Sequence, residues 1–172
     1  MQLIRCTQKL LRVIGIKNPD LIDDDPKFGY LRTWYANLIW IDRRKCVLFT
    51  NEETLYSFLV TDVKKTDLSK IERLFVLNLR ANLASEKFDS QVIDKVLKEY
   101  SEIVIAKTKS KSVLGSMNDL AFHCKFSVLR DGGVTACDII GINQELNRIP
   151  IGAIGYSYSI ERLRIKLKQL AT

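Results

Sequence analysis

Apolar residues change their spacing along this chain, and the changes predict its elements. Leu3-Ile4-Arg5-Cys6 reads as a short strand; Thr7 then stands where it can cap a helix carrying Leu10, Leu11 and Ile14, with Gly15 to end it. Residues 16–32 hold Pro19, the acidic run Asp23-Asp24-Asp25 and Pro26, so a loop is expected there. The strongest β pattern lies in residues 33–60. Residues 34–41 and 45–50 are rich in aromatic and β-branched types, and polar Asp42-Arg43-Arg44 between them suits a hairpin turn. Residues 54–60 should add a third strand. Both faces of 34–41 are apolar, which predicts a strand interior to the sheet and covered on both sides.

Past residue 60 the period becomes helical. Asp67 is placed to cap a helix with Leu68, Ile71, Phe75, Leu79 and Leu83 on one stripe. Asp89 is placed to cap another, burying Val92, Ile93, Val96, Leu97 and Tyr100. Residues 102–106 resemble one more strand. Val113, Leu114, Met117, Leu120, Ala121, Cys124 and Val128 define a long helix closed by Gly132-Gly133. A further helix is expected from Val134 to Leu146, stopping before Pro150, and a last one buries Ile160, Leu163, Leu167 and Leu170. Strands come early and helices late. The expected class is therefore α+β: a small, mostly antiparallel sheet packed with four to five helices, mainly in the C-terminal half. No linker or internal repeat interrupts residues 1–172, so a single globular domain is expected.

Composition narrows the field of functions. With 47% apolar residues, 8 Gly and 3 Pro, the chain is neither collagenous nor low-complexity. No apolar run approaches the ~20 residues of a membrane helix, and Met1–Thr7 lacks the features of a secretory leader. A cytoplasmic protein without a membrane partner is expected. Cys6, Cys46, Cys124 and Cys137 form no C-x-x-C pair, so buried reduced thiols are expected and neither a metal site nor a cofactor. The single histidine, His123, excludes chemistries that need two or more imidazoles.

Charge adds a direction. The formal charge is +7, shared evenly between the two halves of the chain, which favours a nucleic-acid partner. The sharpest basic feature is Lys107-Thr108-Lys109-Ser110-Lys111-Ser112, set between a predicted strand and a predicted helix. A helix start offers unpaired N–H groups and about half a positive charge, so these residues can hold a phosphate. The plainer alternative is that Ser110 or Ser112 caps the helix and the lysines stand in water. Gly115 follows the basic run rather than preceding it, so this is not a P-loop. Asn118 and Asp119 follow on the same helix. Gly115 within a helix costs about 1 kcal/mol relative to Ala, for which close packing is the expected reason.

Two further basic features stand out. Arg43-Arg44-Lys45 lies at the hairpin tip near Trp34, Tyr35 and Trp40, the mixture of charge and flat surface that single-stranded nucleic acid requires, although such aromatics ordinarily form core. Asn37 is polar among apolar neighbours and is expected to be buried and hydrogen-bonded. At the C-terminus Arg148, Arg162, Arg164, Lys166 and Lys168 face only Glu161, offering a surface for a protein partner.

Several strings are shared with a recognisable family. Arg5-Cys6-Thr7 with Leu10-Leu11, residues 34–38, residues 43–51, Thr54-Leu55, Lys107-Thr108 and residues 112–119 together resemble a family of small, uncharacterised bacterial and plasmid-encoded proteins catalogued as a domain of unknown function. An Arg is common in that family where this chain has Lys111, which weakens bidentate phosphate gripping there. The resemblance implies an intracellular bacterial setting and carries no activity. Its strings include Arg5, Asn37, Arg43, Arg44, Asn51, Lys107, Thr108 and Asn118, polar residues outside helix stripes, and these are expected to converge on one anion-binding face. The leading expectation is a non-enzymatic, anion-recognising module that binds RNA or DNA backbone through the lysines of 107–111 and the hairpin arginines. The alternatives are a phosphate-substrate enzyme such as a toxin-like ribonuclease, with Tyr, Ser or Asp119 moving protons, and an antitoxin-like interaction subunit. The last would use the basic terminal helix or, if it is an edge, strand 54–60.

Overall fold

The computed structural model describes residues 1–17, 19, 25, 27 and 29–171. Strand β1 (Gln2–Cys6) leads into α1 (Gln8–Ile14), whose chain leaves through Gly15 at φ +80°. The expected loop 16–32 falls partly outside the described residues, Asp23, Asp24 and Pro26 among them. Then come β2 (Trp34–Ile41), β3 (Arg44–Asn51) and β4 (Ser57–Val60). Helices α2 (Lys65–Leu68), α3 (Ile71–Ser85) and α4 (Ser90–Lys98) precede β5 (Ile103–Lys107). Helices α5 (Lys111–Arg130) and α6 (Ile139–Leu146), a two-stranded ladder of β6 (Pro150–Ile151) and β7 (Ser157–Tyr158), and α7 (Ser159–Leu167) complete the described chain. The class is α+β, and α4 to α7 all lie in the C-terminal half.

The five main strands form one mixed sheet in the order β4-β3-β2-β1-β5. The β2–β3–β4 meander is antiparallel, whereas β1 runs parallel to both its neighbours, β2 and β5. As its two-sided apolar pattern predicts, β2 lies inside the sheet. Alternation sorts its residues into two cores. Ile4, Cys6, Trp34, Ala36, Val47, Phe49 and Phe58 face α1, α3, α4 and α7, with Phe75 and Tyr100 completing an aromatic cluster. Tyr35, Ile39, Ile41, Cys46, Leu48 and Leu59 face α5 and α6. The hairpin turn places Asp42 and Arg43 at φ 50° and 59°, the left-handed pair that matches the twist of the flanking strands.

Three helix starts differ from the sequence expectation. Thr7 occupies the N-cap position of α1 without a side-chain cap bond; its hydroxyl donates instead to Asn37 Oδ1 at 2.9 Å. Asp67 accepts from the Lys64 N–H at 2.8 Å and caps the single turn α2, so the long helix α3 starts only at Ile71. Helix α6 starts at Ile139 rather than Val134, because Asp138 supplies the cap, accepting from the Gly141 N–H at 3.2 Å. Asp89, by contrast, caps α4 as expected, accepting from the Gln91 N–H.

Strand β4 is an edge of the sheet, and α6 closes it. The Asn147 amide accepts from the Ser57 N–H at 2.8 Å and donates to the Ser57 carbonyl at 2.7 Å. One helical turn earlier, Asn143 accepts from the Leu59 N–H at 2.8 Å and donates to the Leu59 carbonyl at 3.2 Å. Both asparagines are buried. Two side chains spaced i, i+4 thus pair with alternate residues of β4 much as a neighbouring strand would.

Candidate functional site

The α5 face of the sheet is apolar toward the hairpin and polar toward the start of α5. Register aligns Arg5, Tyr35, Thr50 and Ser57 across β1 to β4, a row of polar side chains on one face. At the β4 end the row closes on itself, with Thr50 and Ser57 hydroxyls 2.8 Å apart. At the β1 end it opens into a cluster of charged groups.

Arg5 is the centre of that cluster. Its side chain is only 2% exposed; it donates to the Lys107 carbonyl at 2.8 Å and, through Nε and Nη2, to Asp25 Oδ1 at 3.1 and 2.9 Å. The same oxygen accepts from the Thr33 hydroxyl at 3.2 Å, while Lys109 forms an ion pair with Asp25 Oδ2. Partial burial pushes the Asp25 carboxyl up, but the bonds and charges of Lys109 and Arg5 outweigh it and hold the group below the ordinary carboxylate range.

The start of α5 is tied into this cluster. Ser110 is the N-cap, its hydroxyl accepting from the Val113 N–H at 3.2 Å, and its own N–H donates to the Tyr35 hydroxyl at 3.1 Å. The Tyr35 hydroxyl is 3.4 Å from Glu52. Burial raises the Glu52 carboxyl above its ordinary range, the negative charge of Asp25 adds to the rise, and Lys109, Arg5 and the Tyr35 hydroxyl only partly offset it. Burial likewise raises the Tyr35 phenol, against the hydrogen bond from Ser110. Five ionisable side chains therefore meet at the first turn of a 20-residue helix, with Lys107 and Lys111 exposed beside them.

The expected convergence is realised in part. Arg5, Lys107, Thr108, Lys109, Ser110 and Lys111 share this corner, with Ser112 exposed on the first turn. Asn37 sits one level further along β2, tied to Thr7. Arg43 and Arg44 do not join them. The hairpin continues five residues past Ala36, the partner of Cys6, which carries its tip about 17 Å along the strand. Arg44 pairs there with Asp62 at 3.0 Å, and half-exposed Trp40 stacks under Lys45. Trp34 and Tyr35 are buried.

Asn118 is exposed two turns into α5, about 10 Å from Lys111. Asn51 is buried and shapes its own turn, accepting from the Thr54 N–H and hydroxyl. Nothing lies within 4 Å of a side chain placed at Gly115, so the close packing expected there is not found within the chain. Asp119, Ser116 and exposed His123 line a separate cavity of about 270 Å³ between α5 and residues 149–152.

Sequence reasoning missed Asp25, Thr33, Tyr35 and Glu52 as parts of the cluster. The signal available covered Tyr35 alone, which stands with Arg5 among the polar residues aligned across otherwise apolar strands; Asp25, Thr33 and Glu52 lie outside the strands. The C-terminal basic residues also have partners the sequence did not suggest. Buried Glu86, at the end of α3, accepts two bonds from Arg148 at 2.7 and 3.0 Å and lies 3.9 Å from Arg164, and Lys166 pairs with Glu53. Tertiary folding supplies these acids from afar, so Glu161 is not the sole counter-charge. Among the described residues no three His, Cys, Asp or Glu side chains gather as a metal site would, and no helix is long and apolar enough to cross a membrane.

A family model described as Domain of unknown function (DUF6933) matches residues 3–162, most of the chain. The chain belongs to the DUF6933 family. No curated protein and no solved structure matches it. The charged corner of this DUF6933 domain, Arg5 through Lys111, lies wholly within the matched span. So does the asparagine pair that closes β4.

Proposed function

We propose that this chain is an anion-recognising binding module that takes a phosphate group of RNA or DNA at the start of α5. One observation carries the reading: a nearly buried arginine and Lys109 converge on a single carboxylate beside the N-terminus of a long helix, with two exposed lysines alongside. Helix N–H groups and positive side chains complement a phosphate's charge and its several acceptor oxygens. Topology supports the same place. Adjacent parallel strands β1 and β5 continue into helices on opposite faces of the sheet, and ligands of such sheets gather at the carboxyl ends of strands that diverge in this way. The hairpin arginines stand apart, so the footprint is one local patch rather than a track along the backbone.

The test is a titration of labelled RNA and DNA oligonucleotides at two salt concentrations, repeated on a Lys107→Ala, Lys109→Ala, Lys111→Ala variant. Three lysines limit the contact to about three phosphates, so affinity for single strands should fall with a log–log salt slope near −2. The variant should lose that binding. Undiminished binding by the variant, or none by the native chain, would overturn the reading; shortened oligonucleotide on a gel would favour the ribonuclease alternative.

A further inference from the structure

We propose that the outward face of α5 is a self-complementary surface on which a second copy of this chain docks, the two α5 helices running antiparallel; the inference does not depend on the anion-binding reading. Helix α5 is apolar on two opposite sides. At about 100° per residue, Val113, Met117, Leu120, Cys124 and Val128 point into the core, and Phe122, Phe126 and Leu129 point away from it. These last three are 72%, 62% and 56% exposed. A helix apolar on every side is ordinarily covered on every side, and within the chain this face is bare. Together with Gly115 and Asp119 the outward residues recur at alternate spacings of four and three, the seam by which one helix meets another. A stripe this narrow, with an aspartate in it, suits a helix rather than a lipid surface, which takes a broad apolar face flanked by basic residues.

Shape and charge select a second copy set antiparallel. A two-fold axis crossing α5 at Phe122 pairs positions equidistant from it. Leu129 of each copy then sits over Gly115 of the other, where nothing in the chain lies within 4 Å of an added Cβ. Gly115 thereby gains the close packing that it lacks within one chain. Phe126 comes to the level of residue 118, on the flank where Ser116, Asp119 and His123 line the cavity of about 270 Å³ beside Phe122. Each copy thus brings a protruding ring and a hollow that receives one, as an isologous contact requires. Charge favours the same direction. Lys107 and Lys111 are exposed near the start of α5, whereas at its end Arg130 is shared between Asp131 and Glu145, leaving that end net negative. Antiparallel helices bring unlike ends and unlike dipole poles together; parallel ones would gather the lysines. The exposed parts of the three apolar side chains amount to about 300 Å² per chain. With their polar flanks, two such faces reach the roughly 1,000 Å² in total that a weak, reversible dimer needs.

Sedimentation equilibrium of the full chain from about 1 µM to about 1 mM reads the association directly, on the native protein, Phe126→Glu, Gly115→Glu and Leu77→Glu. The native chain should pass from monomer to dimer in the micromolar range. Phe126→Glu should raise the dissociation constant about thirtyfold or more. Its melting temperature at the lowest concentration should match that of the native monomer, because the ring lies outside the core. Gly115→Glu, about two turns from Phe122, should weaken the dimer likewise, since its side chain occupies the seat of Leu129. Leu77→Glu removes a side chain of α3 as exposed as Leu129 and should leave the dimer intact. A native chain monomeric throughout would overturn the proposal; if that monomer floats with phosphatidylcholine vesicles and Phe126→Glu does not, the face belongs to lipid. A dimer that survives Phe126→Glu, or one abolished by Leu77→Glu, would show that the copies meet elsewhere. A dimer lost in Phe126→Glu and unchanged in Gly115→Glu would overturn the antiparallel arrangement.

Discussion

Glu52 shows how a single side chain carries the tension of the charged corner. Its folded carboxyl is raised above its ordinary 4.5 by burial and then by Asp25. An acid so raised binds more protons folded than unfolded, so it lowers stability as pH rises through the window just above 4.5. Asp25 has the opposite sign. Its carboxyl is lowered from 3.8, so its contribution is fully present above that value and is lost only as pH falls below it. Burial raises Glu99 in the same direction as Glu52, and the two overlap in the native melting curve. The difference between native chain and Glu52→Gln isolates one of them. Glu52→Gln should gain melting temperature relative to the native chain at pH 7, and the gain should shrink toward pH 4. A difference that does not change with pH would mean that Glu52 is not held against its own charge.

At the scale of elements, two glycines make opposite demands. Gly115 sits within α5 with open space around it, so Gly115→Ala should raise stability by about 1 kcal/mol through helix propensity alone. Gly133 lies at φ +94°, where an added Cβ would meet Asp42 Oδ2 at 2.6 Å. That oxygen accepts from the Val134 N–H at 3.1 Å and pins the end of the helix region to the hairpin turn. Gly133→Ala should therefore cost at least about 1 kcal/mol. Urea denaturation of both variants checks the pair.

The elements themselves were legible because their residues repeat at fixed spacings. Apolar residues on both faces of 34–41 identified an interior strand, and Phe75, Leu79 and Leu83 marked a buried helix stripe that the structure contains. Helix starts were less legible, since Thr7 and Asp67 can cap in more than one way and tertiary partners decide. The charged corner was half legible. Lysines next to a helix start are visible in sequence; Asp25, which pairs with Lys109, comes from 84 positions away and leaves no local mark. Arg43 and Arg44 were grouped with the site by shared chemistry, whereas the length of the hairpin separates them.

For the whole molecule, the asparagine pair of α6 decides which surfaces stay available. Strand 54–60 was a candidate docking edge in the sequence, and β4 is indeed an edge, but the backbone groups of Ser57 and Leu59 are bonded to Asn147 and Asn143. Asn143→Ala and Asn147→Ala each remove both bonds to β4 and leave an N–H and a carbonyl of that strand behind. Each should cost about 2 to 4 kcal/mol in urea denaturation, and the double variant should self-associate at concentrations where the native chain does not. Asn143 and Asn147, four apart at the end of the helical stretch 139–147, were the sequence signal for this, legible only once the helix had a neighbour.

The same pair sets when the sheet is vulnerable. Because α6, and not another strand, supplies the last row of partners, this edge of the sheet is uncovered by a local opening: the helix lifts and β4 is bare while the remaining strands stay paired. The hazard of intermolecular pairing then follows the free energy of lifting one eight-residue helix rather than that of unfolding the domain. The domain can be globally stable and still owe its solubility to how firmly that one helix stays down.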